Sequence, residues 1–178
     1  MTKADRTKEA QLAAVERIGK RAISLTIGVL RAKTLRESLQ PALERLAEGG
    51  RTDDDLRTEA ADSALKVEPA DASRLDSLYA FYLGALYAVV EKWRQWTFTD
   101  GAVDALLADA ERVKLLKQHR HAIFHADHYD HKDLVALAER HDMIPWADEL
   151  QAALVRFFAA WHENANSHVR EHLKRTGA

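Results

Sequence analysis

Apolar residues recur at three- and four-residue intervals along nearly the whole chain, and no stretch sustains the alternation of a half-buried strand. From about Lys8 to Leu46, Leu12, Val15, Ile18, Ala22, Leu25 and Val29 keep that spacing, which predicts a helix with these side chains toward a core. Pro41 has no amide hydrogen to donate, so a break near Gln40 and a short second piece are expected, closed by Gly49-Gly50. Thr52 or Asp53 then caps a modest helix that stops before Pro69.

The next helix is the most apolar. Asp71 or Ser73 can cap it, and Leu75, Leu78, Tyr79, Tyr82, Leu86, Val89, Val90 and Trp93 wrap much of its circumference, as expected of a central helix. Asp100-Gly101 marks its end. From Val103 a further helix carries Leu106, Leu107, Val113 and Leu116 toward Arg120. A connection rich in His and Asp, His125 to Lys132, leads to a short helix ending near Pro145. The last helix, about Trp146 to Lys174, presents Leu150, Leu154, Phe157, Phe158, Trp161 and Ala165. The pattern predicts an all-α fold, a helical bundle of about five to six helices in one domain spanning 1–178. Within it, residues 1–70 carry no recognisable motif and 71–174 form the bundle core.

Composition narrows the function classes. Close to half of the residues are apolar, and 7 Gly and 3 Pro are too few for a disordered or repetitive chain. The net charge of −2 creates no whole-molecule attraction to nucleic acid or membrane, although a groove needs only a few placed cations. Cysteine is absent, which excludes disulfides, thiolate metal sites and a Cys nucleophile. The charged start, MTKADRTKEAQ, is unlike a signal peptide, and the uncharged run Ser77 to Val90 falls short of the roughly 20 residues that cross a bilayer. A cytoplasmic protein without membrane contact is expected.

The chemistry concentrates in one place. Six of the 9 histidines lie between His119 and His141, in KQHRHAIFHADHYDHKDLVALAERH. Within it, Arg120, His121 and His125 form RHAIFH. Arginine stays charged and offers a planar fork to phosphate oxygens, and histidine exchanges protons near neutrality. Residues five apart on a regular helix are separated by roughly 140°. The two therefore act together only if His125 stands at a helix end or both flank a groove.

The string resembles the signature of the HEPN superfamily of helical-bundle nucleases: Arg, a polar residue (usually Asn), three variable residues, then His. The flanking segments are similar too. LLKQHRHAIFHADHYDHKDL runs an apolar helix into the motif and follows it with aromatic and acidic residues, and LYAFYLGALYAVVEKWRQW looks like the preceding core helix, with Glu91 at its acidic position. The resemblance spans about Leu75 to Leu137. It implies a metal-independent endoribonuclease, without cofactor, in which two chains of a homodimer bring both motifs to one cleft, and which acts as a toxin or host-defence effector with a possible cognate antitoxin. In that reading Arg120 holds the phosphate, His125 moves protons, His121 replaces the usual Asn and Glu91 orients them. Lys114 and Lys117, one to two turns before the motif, are placed to bind RNA phosphates, as is Arg112.

Two alternatives stay open. The same fold can act as a catalytically silent binding or dimerisation module. His121, His125 and His128, at i, i+4 and i+7, could instead hold zinc, nickel or iron together with nearby aspartates, although no HExxH or paired Glu-x-x-His is present. Elsewhere the bland readings prevail. His119, His128, His131 and His141 are expected to be ordinary surface or helix-end histidines, and His162, His168 and His172 to line a solvated face. Trp93, Trp96, Trp146 and Trp161 are read as core or interface anchors, Asp53 to Asp55 as a cap, and Lys20, Arg21, Arg31, Lys33 and Arg36 as a solvated basic face.

Overall fold

The structure, a computed structural model, describes residues 3–48, 69–124 and 142–165, with single positions as far as 174. Over these residues the fold is all-α: α1 (Lys3–Glu48), α2 (Pro69–Gln95), α3 (Gly101–Leu107), α4 (Ala110–Phe124) and α5 (Met143–Glu163). The helix expected between Thr52 and Pro69, the Asp53 to Asp55 cap, the connection from His125 and the short helix that follows it lie outside the described residues.

α2 is the hub. It packs along α1 and α4, and α5 closes against α1, α2 and α3. Tyr82, Leu83, Leu86, Val89, Val90 and Trp93 are buried around most of its circumference, as the apolar run predicts. Gly28 lets α1 approach closely: a Cβ there would meet Val89 Cγ2 at 2.9 Å. α5 is amphipathic at i, i+3, i+4 and i+7, burying Ala147, Leu150, Leu154, Phe158 and Trp161. Its Phe157 and Phe158 meet Trp93 edge-on at 4.8 and 6.1 Å. Trp93, Trp146 and Trp161 are buried, and Trp96 is partly covered, with Arg21 lying 5.6 Å above its ring.

Several boundaries differ from the pattern's prediction. α1 runs through Pro41 without a break. An interior Pro costs about 3 kcal/mol, and Pro41 lies on the exposed side of α1, two residues beyond the fully buried Leu39. α2 begins at Pro69 itself, where a fixed φ and a missing amide hydrogen suit the first turn. It stops at Thr97, not at Asp100-Gly101. Thr97 adopts φ 56°, Phe98 N–H donates to Trp93 O at 3.2 Å and Thr97 N–H to Arg94 O at 3.2 Å. This is a Schellman cap with Thr in the position glycine usually takes, completed by the Trp93–Phe98 ring contact at 5.7 Å.

The helix expected from Val103 onward is two. Asp100 caps α3, accepting from Ala102 N and Val103 N at 3.0 and 3.1 Å. Asp109 then starts α4, its carboxylate accepting from Arg112 N at 3.0 Å. Last, α5 begins at Met143 rather than Trp146, with Pro145 harmless in its first turn, and closes at Asn164, whose N–H donates to Ala160 O at 3.0 Å.

Leu12 and Val15, expected in the core, are exposed. Each three-residue step falls about 60° short of a full turn, so two such steps carry Leu12 a third of a turn from Ile18, where the buried stripe Ile18, Ala22, Leu25, Val29 begins. Ile23, Ile27 and Leu30 form a second, exposed apolar row on α1. No described helix is long and apolar enough to cross a membrane.

Candidate functional site

The first five residues of the RHAIFH motif, Arg120 to Phe124, close α4, and α2 supplies their surroundings. Along α2, Phe81, Gly84, Tyr87 and Glu91 follow one another at three- and four-residue steps toward α4. Along α4, Arg120 and Phe124 are one turn apart. The two rows meet. Phe124 lies over Gly84, where a Cβ would sit 2.6 Å from its ring, and pairs with Phe81 at 6.0 Å. One turn away, the Arg120 guanidinium stands 5.7 Å from the Tyr87 ring centroid, and its Nη1 lies 4.0 Å from Glu91 Oε2.

Arg120 is therefore held loosely. A cation over an aromatic face and an ion pair at its outer limit orient the guanidinium without saturating its five donors. Its side chain remains about a third exposed (31%) and Glu91 nearly half (45%), so incoming phosphate oxygens can reach it. Burial, with Glu91 nearby, pushes the Tyr87 phenol above its ordinary range, so the ring faces Arg120 as a neutral π surface at physiological pH.

The placements of the expected residues divide. Glu91 and Arg120 are brought together. Lys114 and Lys117 are exposed on the α4 flank that leads to Arg120 and Phe124, and neither forms an ion pair among the described residues. His121 is exposed on the same helix. His125, the expected proton-transfer residue, and His128, part of the alternative His121, His125, His128 metal set, lie outside the described residues. Among the described residues alone, no group of three or more His, Asp or Glu is arranged to hold a metal ion.

Several basic residues are occupied elsewhere. Arg112 pairs with Asp142 and with Asp109. On α1, Lys20 pairs with Glu16 and Lys33 with Glu37, each at 2.6 Å. Arg36 is committed to structure. Its Nε donates to Asp148 Oδ1 and its Nη2 to Asp148 Oδ2, both at 2.8 Å, and the Tyr82 hydroxyl donates to Asp148 Oδ1 at 2.8 Å. This cluster ties α1, α2 and α5 together.

His119 departs most from expectation. Read as a surface histidine, it is buried at 6% exposure on the core side of α4. Among the described residues neither ring nitrogen has a hydrogen-bond partner, and desolvation pulls its pKa down to about 4, so it is neutral at physiological pH. The residues that sequence reasoning missed are His119, Phe81, Tyr87 and Phe124. The register gave a signal for two of them: Gly84 is the one glycine of α2 and stands three residues from both Phe81 and Tyr87. No family model, curated protein or solved structure matches this chain.

Proposed function

We propose that the chain is a HEPN-type, metal-independent endoribonuclease whose working site is built around Arg120 and His125, with two chains of a homodimer contributing to one cleft. The observation that carries the reading is the setting of Arg120: oriented by Glu91 and Tyr87, incompletely coordinated, and continued along α4 by the exposed Lys117 and Lys114.

The chemistry needs three functions. A base removes the proton of a ribose 2′-hydroxyl, whose oxygen attacks the adjacent phosphorus. A cation stabilises the doubly charged phosphorane, and an acid protonates the departing 5′-oxygen, leaving a 2′,3′-cyclic phosphate. Arg120 supplies the cation, with Glu91 as its positioning residue. His125 of each chain carries one of the two proton transfers, which is why one motif alone falls short. His121 assists at the polar position of the motif, and Lys114 and Lys117 hold neighbouring phosphates. Such a protein fits a toxin or host-defence effector, active in the cytoplasm and restrained by a cognate antitoxin.

Purified wild type and His125→Ala, incubated with mixed single-stranded and structured RNA in EDTA, test the reading. Cleavage by the wild type alone, with cyclic-phosphate ends, is expected. Cleavage by His125→Ala at the wild-type rate would remove the assignment.

The exposed row Ile23, Ile27 and Leu30 on α1 favours a second reading, a silent binding or dimerisation module. That reading predicts self-association without cleavage by either protein.

A further inference from the structure

Phe81 and Phe124 are exposed by about half, 47% and 50%, although each belongs to a helix with a well-filled apolar side. Their rings stand 6.0 Å apart, tilted by 58°, and Gly84 is what allows Phe124 to lie down beside α2. An exposed aromatic pair costs solubility and gains little packing, so its retention beside a cationic row calls for a ligand with both an apolar ring face and negative charge. Along α4, Lys117, Arg120 and Phe124 follow at i, i+3 and i+7, a rise of only ~10 Å. Cation, cation and aromatic ring thus stand on successive turns.

We infer that Phe81 and Phe124 form a stacking platform for an unpaired nucleobase of single-stranded RNA, whose phosphates run along Arg120, Lys117 and Lys114. The tilt decides between single and double strands. Two rings at 58° offer one base a floor and a wall, whereas a duplex keeps its bases stacked on each other and presents only backbone to such a corner. The platform is sequence-tolerant, because every base has a π face. It also gives the proposed nuclease a substrate class, unpaired RNA, with the stacked base fixing the register of the adjacent phosphate over Arg120. This inference rests on the nuclease reading for its substrate, but its test does not require cleavage.

The probe is a fluorescent 2′-O-methyl single strand of about a dozen nucleotides, long enough for a stacking site and unable to cleave itself. Binding is followed by anisotropy across a salt series. Phe81→Ala and Phe124→Ala are each expected to weaken binding by roughly 5- to 100-fold while leaving the salt dependence unchanged. Gly84→Ala should reproduce the Phe124 loss by displacing that ring. Lys114→Gln with Lys117→Gln should reduce the slope of log K against log salt by about 1.4, or about 0.7 per phosphate contact. A duplex of the same sequence should bind more weakly than the single strand and show no response to Phe81→Ala.

Phe81 is exposed, so Phe81→Ala keeps its helicity and remains a fair test even if Phe124→Ala loosens α4. Wild-type-like binding by Phe81→Ala and Phe124→Ala would overturn the platform, and so would a wild type that ignores the single strand. If the ring variants instead dissociate a dimer without weakening RNA binding, the patch is a contact between copies and the inference fails. Unchanged KM for RNA cleavage in the ring variants would sink the platform while the nuclease stood. Loss of binding in a protein that never cleaves would do the reverse.

Discussion

Tyr82 and Glu91 stand on the same helix, yet the polar groups they face are held in opposite ways. At Tyr82 the hydroxyl and both sides of the Arg36 fork converge on one carboxylate, Asp148, at 2.8–3.0 Å, and three helices are tied by it. Near Glu91 the polar groups are under-coordinated. Arg120 reaches its partner at 4.0 Å, His119 is buried with both nitrogens unpaired among the described residues, and two phenylalanines face water. The first arrangement is what a fold needs from a polar cluster: one carboxylate answered by three donors and little left for a ligand to do. The second violates local rules at several adjacent residues. Such violations concentrate where a chain does something besides fold, and here they gather around the RHAIFH motif.

Substitutions can break the contrast from either side. At neutral pH the largest effect on stability is expected at Asp148. Asp148→Ala strands the Arg36 guanidinium and the Tyr82 hydroxyl, and should cost about 2–3 kcal/mol in chemical denaturation, less than a fully buried pair because Asp148 is partly solvated. RNA binding per folded molecule should be unchanged. A loss below about 0.5 kcal/mol, the size of a surface effect, would mean that the cluster is not the clamp described.

The next effect has the opposite sign. Burial lowers the His119 pKa from 6.5 to about 4, so the unfolded chain binds the proton more readily between those two values. Stability should therefore fall as pH drops from about 6.5 toward 4, by up to about 3 kcal/mol from this group. Above 6.5 the ring is neutral in both states and the proton-linked penalty vanishes. His119→Leu removes the unpaired nitrogens and should raise stability at neutral pH by about 1–2 kcal/mol. Measured by thermal unfolding from pH 7 to 4.5, the gain over wild type should widen as the pH falls. A constant gap across that range would contradict the burial of an uncharged His119.

The smallest stability change sharpens the contrast most. Glu91→Gln removes an exposed, long ion pair and should alter stability by less than about 0.5 kcal/mol. If Glu91 positions Arg120, the same variant should reduce RNA cleavage with a larger fall in kcat than rise in KM. Unchanged kcat would leave Glu91 as surface charge only.

The sequence disclosed the fold better than the site, for a physical reason. Helical periodicity is local, so the buried stripe Ile18, Ala22, Leu25, Val29, the central character of α2 and the amphipathic α5 were all readable. Errors fell where competing local terms are close in size. Pro41 sits inside a continuous helix although it is the usual mark of a break, and a β-branched Thr97 takes a position where glycine is the usual marker. The break at Asp109 was missed because the apolar spacing continues on both sides of it. The Arg36–Asp148 pair joins residues 112 positions apart, and no local pattern reports such a partner. Arg36 therefore read as a solvated cation. His119 was grouped with its neighbouring histidines by composition, whereas its position three residues after the buried Leu116 placed it on the core side. Glu91 and Arg120 were linked in advance by resemblance, and the structure brings their side chains to within 4.0 Å.

The central claim is that RNA is cut at the Arg120 corner of α2 and α4. Its most direct test is single-turnover cleavage of a single-stranded RNA in EDTA by wild type and Arg120→Ala, with thermal unfolding of both proteins alongside. The account predicts cleavage by the wild type, a loss of at least ~10²–10³-fold in Arg120→Ala as expected for removing a transition-state cation, and closely similar unfolding curves. Cleavage by Arg120→Ala at the wild-type rate, or an inert wild type, would contradict it.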